Sequence, residues 1–320
     1  MIPSVAHFVW LGHSLPWMLA VALQAARARG GFDRVILHHT DALDGESLRT
    51  CARQLTAAEL CRIEPETILA NSTARGSELV GLWRRLTTPA ARSNVLRLAI
   101  LALQGGVYLD TDVIAVRPFL PLLDAGLFCG SEHIALPAKL SRSRNPLSWA
   151  RAVVRLGVRD VLRRVPNGHR WFRAVEARYP AEVNNAVIGA EPGHPFVASL
   201  LDAMLRMPTA WQTVRFALGP HLLGSELERQ KPGDVWVHPP GVFYPLPPEI
   251  SQHWFRVRPT ARLDDVLSPR TVAVHWYASV RTRRLLSYVD ADYVRRNADR
   301  QLWSALVASL VDRGYEGAAT

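Results

Sequence analysis

The spacing of apolar and polar positions changes period several times along the chain, and its clearest stretch lies near the middle. Val95, Leu98, Ala99 and Ala102 recur at three- and four-residue intervals, which predicts a helix over 93–104 with one apolar face. Gly105-Gly106 predicts its stop, because glycine closes a helix through a left-handed turn. The short apolar run Val107-Tyr108-Leu109 then predicts a buried strand with Asp110 and Asp112 at its carboxyl end, where open α/β sheets bind ligands. Earlier, 2–11 predicts a strand, 16–29 a helix with Pro16 in its first turn, and 34–39 a second strand. Strand, helix and strand within forty residues make half of a nucleotide-binding fold. Fainter patterns predict helices near 57–60 and 77–86 and a short strand near 61–63. Beyond the acids, strands are expected at 113–116, 127–129 and 271–277, and a helical tail over about 288–316 ending in a polar GAAT.

The two acids carry the chemistry. Alternation along an extended chain would point Asp110 and Asp112 to the same side, and two carboxylates at one point repel unless a cation lies between them. Magnesium and manganese favour such oxygen ligands and leave positions for substrate phosphates. A solvated turn is the plain alternative for an Asp-x-Asp pair. The buried strand before it, and Asn94 and Arg97 on one face of the preceding helix, favour a site. No Gly-x-Gly-x-x-Gly or Walker sequence follows the first strand, which argues against a dinucleotide fingerprint or phosphate loop.

With Ser93, Asn94, Arg97, Gly105, Gly106, Tyr108, Asp110 and Asp112 in this order, the chain resembles glycosyltransferase family 32, whose signature is Ser-Asp-x-x-Arg, Gly-Gly-x-Tyr and Asp-x-Asp. Asn94 stands where the family usually has aspartate, so an amide replaces a charge at a position implied to hold the donor sugar. The resemblance extends to Ile2-Pro3, His7, Trp10 and Gly12, to Asn184 and Asn185, to the Gly219-Pro220 loop and to His275-Trp276. It implies one α/β domain over 1–320 of the GT-A type, a Rossmann-like mixed sheet with flanking helices. It also implies transfer of a sugar from a nucleotide-sugar donor to a glycan or glycolipid hydroxyl, with retention at the anomeric carbon and with Mn2+ or Mg2+. By the same resemblance Asp110, Asp112 and Asn185 are catalytic candidates. Trp10, Asn94, Arg97, Tyr108, Asn184 and Trp276 are substrate-binding candidates, Trp10 by stacking on the base. His275 is a third metal ligand beside Asp110 and Asp112, or a contact to the diphosphate. For Trp10 and His275 a core role is the alternative.

Composition narrows the setting. Hydrophobic residues make up 48% of the 320, ample for a buried core. No apolar run reaches the ~18 residues of a membrane span, and the first residues lack the basic start of a secretory signal, so a cytoplasmic protein is expected, to which the family resemblance adds bacterial polysaccharide synthesis as the setting. Cys51, Cys61 and Cys129 are isolated from one another in the sequence and are read as reduced core residues. The formal charge of +10 suits nucleic acid, an anionic membrane or phosphate-bearing substrates alike. Its distribution says more, because 139–173 holds ten basic residues against the single Asp160 and is expected to be a basic helical insertion. There Arg151, Arg155, Arg159 and Arg163 recur every four residues, with valines left for an apolar side. Such a stripe lies on an anionic inner membrane face or is a solvated flank. No nucleic-acid partner is expected.

Two other readings use the same residues. YLDTDVI resembles the first motif of haloacid-dehalogenase phosphatases, with Lys231 and Asp264-Asp265 in order behind it. That motif normally opens its catalytic domain, whereas 109 residues precede Asp110. A non-catalytic protein binding anionic surfaces would leave the Gly-Gly-x-Tyr and Asp-x-Asp spacing unexplained.

Overall fold

The computed structural model describes residues 1–280 and 282–312. Among the described residues nine strands form: β1 (Val5–Trp10), β2 (Arg34–His39), β3 (Glu59–Arg62), β4 (Gly106–Leu109), β5 (Val113–Ala115), β6 (Leu127–His133), β7 (Ala181–Ala190), β8 (Val235–His238) and β9 (Ala273–His275). Seven of them make one sheet in the order β3-β2-β1-β4-β7-β6-β8, and β5 pairs with β9 in a separate ribbon. Only β7 runs against its neighbours in the large sheet. This is the expected Rossmann-like mixed sheet, flanked by helices.

The central strands read as unbroken apolar runs because both faces of the sheet are covered. β4 sends Val107 and Leu109 into one apolar cluster and Tyr108 into the other. The first cluster gathers the Trp17–Arg29 helix with Trp254, Trp276 and Trp303, and the second gathers the Pro89–Gln104 and Pro195–Arg206 helices.

The Pro89–Gln104 helix begins four residues earlier than the apolar spacing alone predicts. Thr88 accepts a hydrogen bond from the Ala91 N–H, and Pro89 fills the first turn, where no amide hydrogen is needed. Gly105 (φ 63°) ends it, with its N–H on the Leu101 carbonyl. A Cβ on Gly105 would stand 2.6 Å from Pro192, and one on Gly106 (φ 94°) 2.7 Å from the Val5 carbonyl oxygen. The glycine pair therefore serves both the reversal and the close docking of β4 beside β1.

Other elements differ from expectation. Residues 59–62 form a strand, so the helix expected near 57–60 lies instead at Ala52–Leu55. β6 runs on to His133, because β7 and β8 pair with it on both sides. The tail breaks into two helices, Ala291–Asn297 and Leu302–Asp312, and its expected continuation over 313–316 with the terminal GAAT lies outside the described residues.

The basic segment forms the helices Pro146–Leu162 and Gly168–Val175, and here the orientation corrects the sequence reading. The arginine stripe faces the protein. Arg155 donates to the Ala135 carbonyl, Arg159 pairs with Glu249 (3.2 Å) and Asp160 (2.8 Å), and Arg163 pairs with Asp160 (3.3 Å). Only Arg151 among the four is exposed. These acids and the carbonyl need donors, and arginine stems pack on apolar surface while their heads reach them. The valines consequently turn outward.

Candidate active site

The candidate side chains come from several elements that meet at the carboxyl end of β4. Asp110 and Asp112 meet through a turn and not through strand alternation: the Val113 N–H bonds the Asp110 carbonyl at 2.9 Å. After the turn, β5 pairs antiparallel with β9, placing Val113 opposite His275. One carboxylate oxygen from each aspartate and one ring nitrogen of His275 all lie within 4.8 Å of one another. The strand pairing between β6 and β7 shifts register between Cys129 and Gly130, skipping 185–187 on β7. The freed Ala186 carbonyl accepts the Asp110 N–H at 2.8 Å. An irregularity of this kind re-aims side chains beside a site, and here it concerns Asn185.

Behind Asp110 stands a buried support. Arg97, with its side chain 5% exposed, pairs with Asp110 Oδ1 at 2.9 Å and lies 4.3 Å over the Tyr108 ring. It also donates to the Asn185 carbonyl. Tyr108 donates its hydroxyl to the same Asp110 oxygen at 2.8 Å, with Ser93 Oγ 3.3 Å away. Burial pushes the Asp110 carboxyl above its usual range; Arg97 opposes this and the neighbouring Asp112 adds to it. Asp112 lies below its usual range although burial pushes it up, because His275 Nε2 at 3.1 Å and the Ala278 N–H at 2.7 Å outweigh burial. His275 is raised: burial pulls it down, but Asp112, Asp110 and Glu132 prevail.

Several sequence candidates hold protein partners. Arg97 and Tyr108 are buried and spend their polar groups on Asp110, Asn185 and Ser93. Asn184 donates to Glu132 Oε1 at 2.8 Å and accepts from the Ala186 N–H at 2.7 Å. Asn185 Nδ2 donates to Asn94 Oδ1 at 2.8 Å, and both side chains are half-buried. The Gly219-Pro220 loop closes on this pair, a Cβ on Gly219 lying 3.0 Å from each amide nitrogen. Trp10 is half-buried at the carboxyl end of β1, on the same sheet edge as Asp110. Trp276, by contrast, is fully buried and packs edge-on against Phe255 and Trp303 in the core.

Glu132 was not legible in the sequence. It is buried on β6, receives hydrogen bonds from Asn184 and the Tyr277 hydroxyl, and is held above its usual range by burial. Tyr277 adopts φ 59°, a left-handed conformation unfavourable to a bulky side chain, while its ring lies 4.0 Å from that of His275. A single acid inside SEH offers no spacing signal, because its neighbours come from β7 and from the loop after β9.

Asp110, Asp112 and His275 suit a divalent cation: two hard oxygens and one imidazole nitrogen converge, and His275 Nδ1 is buried without a hydrogen-bond partner. Asp264, Asp265 and Lys231 take no part in this cluster, and Asp265 is paired with Arg170.

Residues 46–128 match the family model described as glycosyltransferase sugar-binding region containing DXD motif. No curated protein matches the chain. Among solved structures, the chain is similar to the PaToxG glycosyltransferase at 15% identity and TM-score 0.44, over 72% of this chain and 71% of that one. It is also similar to mouse xyloside xylosyltransferase 1 at 13% identity and TM-score 0.42, over 75% and 86%. For the galactosyltransferase LgtC the values are 12% and 0.36, over 89% and 96%. The matched segment carries Asn94, Arg97, Tyr108, Asp110 and Asp112, and over it this chain is similar to the sugar-binding region of DXD glycosyltransferases.

Proposed function

We propose that the chain, as a single domain, transfers a sugar from a nucleotide-sugar donor to a hydroxyl of a glycan or glycolipid, in the manner of glycosyltransferase family 32. The observation that carries this reading is the convergence of Asp110, Asp112 and His275 at the carboxyl end of β4. These three residues hold Mn2+ or Mg2+, with the imidazole favouring manganese. A bound divalent ion supplies Lewis-acid neutralisation of the departing diphosphate. Arg97 and Tyr108 fix Asp110 through a single oxygen, Oδ1. Asp112 is oriented through both oxygens, Oδ2 by the Ala278 N–H and Oδ1 by His275.

The bond from the anomeric carbon to the diphosphate oxygen breaks as the acceptor oxygen bonds to that carbon. The acceptor proton passes to the departing phosphate oxygen, so attack comes from the leaving-group side and configuration is retained. Glu132 positions Asn184 and Tyr277 and does not serve as nucleophile, since both its oxygens already accept hydrogen bonds. Asn94 and Asn185 face the sugar, and Trp10 stacks on the base.

The test is a panel of nucleotide-sugars with and without Mn2+, read for release of nucleoside diphosphate, followed by NMR of the anomeric proton in the product. Metal-dependent release from at least one donor, with retained configuration, is expected. Absence of release from every donor overturns the reading, and an inverted product overturns its stereochemistry.

A further inference from the structure

The outward face of the Pro146–Leu162 helix is apolar. Leu147, Val154 and Val161 recur every seven residues, two helical turns, so they form one line, and they are 56%, 64% and 61% exposed. Val165, 38% exposed, follows just beyond the helix end. On the next helix, which packs against this one, Trp171 is 65% exposed. Scattered exposed apolar residues need no explanation, but a continuous line with an adjacent tryptophan does.

The charge around this line has one sign. Arg151 flanks it within the helix, and the exposed Arg144 and Arg164 bracket its ends. Asp160, the only acid within 139–173, is bound by Arg159 and Arg163 toward the protein. An apolar line edged by arginine, with tryptophan nearby, fits the boundary between lipid tails and anionic headgroups. A second copy of this chain fits poorly, because two-fold pairing would bring the same arginines against one another.

The helix that carries this face belongs to the connection between β6 and β7. β6 and β4 run the same way, and β7 runs back, so 134–180 leaves and re-enters the sheet at the edge that carries Asp110. Glu132 immediately precedes the excursion, and Asn184 and Asn185 follow it.

We propose that the apolar face Leu147–Val154–Val161, edged by Arg144, Arg151 and Arg164, docks the enzyme on an anionic lipid bilayer and so presents the site to acceptors held at that surface. This role concerns where the acceptor is met, and rests on the transfer reading only for that last step. Docking itself is measured without turnover.

The test is flotation of the full chain with vesicles of phosphatidylcholine alone or mixed with phosphatidylglycerol, across a salt series. Binding to the mixed vesicles, weakening as salt rises, is expected, with little binding to neutral ones. Val154→Asp with Val161→Asp should lower vesicle affinity about tenfold or more while leaving donor hydrolysis and the circular dichroism spectrum unchanged, since both side chains are exposed. Arg151→Gln with Arg164→Gln should weaken binding by a similar factor and flatten its salt dependence. Failure of the wild type to float with anionic vesicles overturns the proposal. So does flotation indifferent to the valine substitutions, or a dimer in light scattering that those substitutions dissolve. Loss of donor hydrolysis in an otherwise floating wild type would count against the transfer reading instead.

Discussion

Asn185 Nδ2 donates to Asn94 Oδ1 across 2.8 Å, tying the helix that carries Arg97 to the strand that begins the other half of the site. A carboxylate at 94 would accept the same bond. Asn94→Asp should therefore change the unfolding free energy by less than about 1 kcal/mol. Its new charge faces the proposed donor position, so the ranking of kcat/KM among nucleotide-sugars should change. A donor panel that ranks identically for both enzymes removes Asn94 from the donor site.

Arg97 makes four contacts with one planar group: Asp110, the Asn185 carbonyl, Ser93 and the Tyr108 ring. Lysine keeps the charge but cannot reproduce the fork. Arg97→Met would leave Asp110 without its buried partner and should cost about 3 kcal/mol, with Arg97→Lys falling between it and the wild type. Urea denaturation measures this. A methionine variant as stable as the wild type would mean that the pair contributes nothing net to the fold.

The helix, the glycine stop and the strand leading to Asp110 were legible because each depends on neighbours in sequence: the spacing of Val95, Leu98, Ala99 and Ala102, Gly105-Gly106 and the apolar run 107–109. His275 was legible only through its likeness to a known pattern, and its placement depends on β5 pairing with β9, which sets it opposite Val113, 162 residues away in the sequence. Glu132 and Tyr277 were not legible, since their contact joins β6 to a left-handed turn that no local periodicity encodes. The orientation of the basic helix was misread for a related reason. Its two faces are an arginine stripe and a valine stripe, and the choice between them was made by Ala135 and Glu249, residues outside the helix.

The buried pair His7 and His38, with Nδ1 of one 2.9 Å from Nε2 of the other, should make the fold acid-sensitive. Burial lowers His7 to about 4 and His38 to about 3. The unfolded chain thus binds protons near pH 6.5 that the folded chain refuses, so stability is full above that pH and falls as pH drops toward 4. The slope contributed by each histidine approaches 1.4 kcal/mol per pH unit, about the value of one proton. Chemical denaturation at pH 7, 6 and 5 should show the decline, and His38→Gln should make it shallower. Equal slopes in the two proteins would assign the acid sensitivity elsewhere.

Glu132 accepts from both Asn184 and Tyr277, so Glu132→Gln replaces one acceptor oxygen with a donor group. One of the two partners then loses its bond. Because Tyr277 lies against His275, activity should fall severalfold and Mn2+ affinity should weaken, with a stability loss of about 1–3 kcal/mol. Unchanged metal affinity alongside reduced activity would confine Glu132 to the Asn184 side.

Metal removal separates the acidic cluster from all other parts of the site. Asp112 is held through Oδ2 by the Ala278 N–H and through Oδ1 by His275; an asparagine oxygen can keep the first, and its amide can donate to a neutral His275 Nε2. Asp112→Asn should therefore fold, but it gives a cation no negative charge. If Asp110, Asp112 and His275 bind Mn2+, the ion at a hundred times its Kd should stabilise the wild type by about 2.7 kcal/mol. The variant should show little of this stabilisation and no transfer. EDTA should abolish both effects in the wild type, and added Mn2+ should restore them together. Thermal denaturation with and without Mn2+ gives the binding result independently of turnover. Transfer that persists in EDTA would mean that the three residues act on the donor directly, and Mn2+ stabilisation that survives in the variant would place the ion elsewhere.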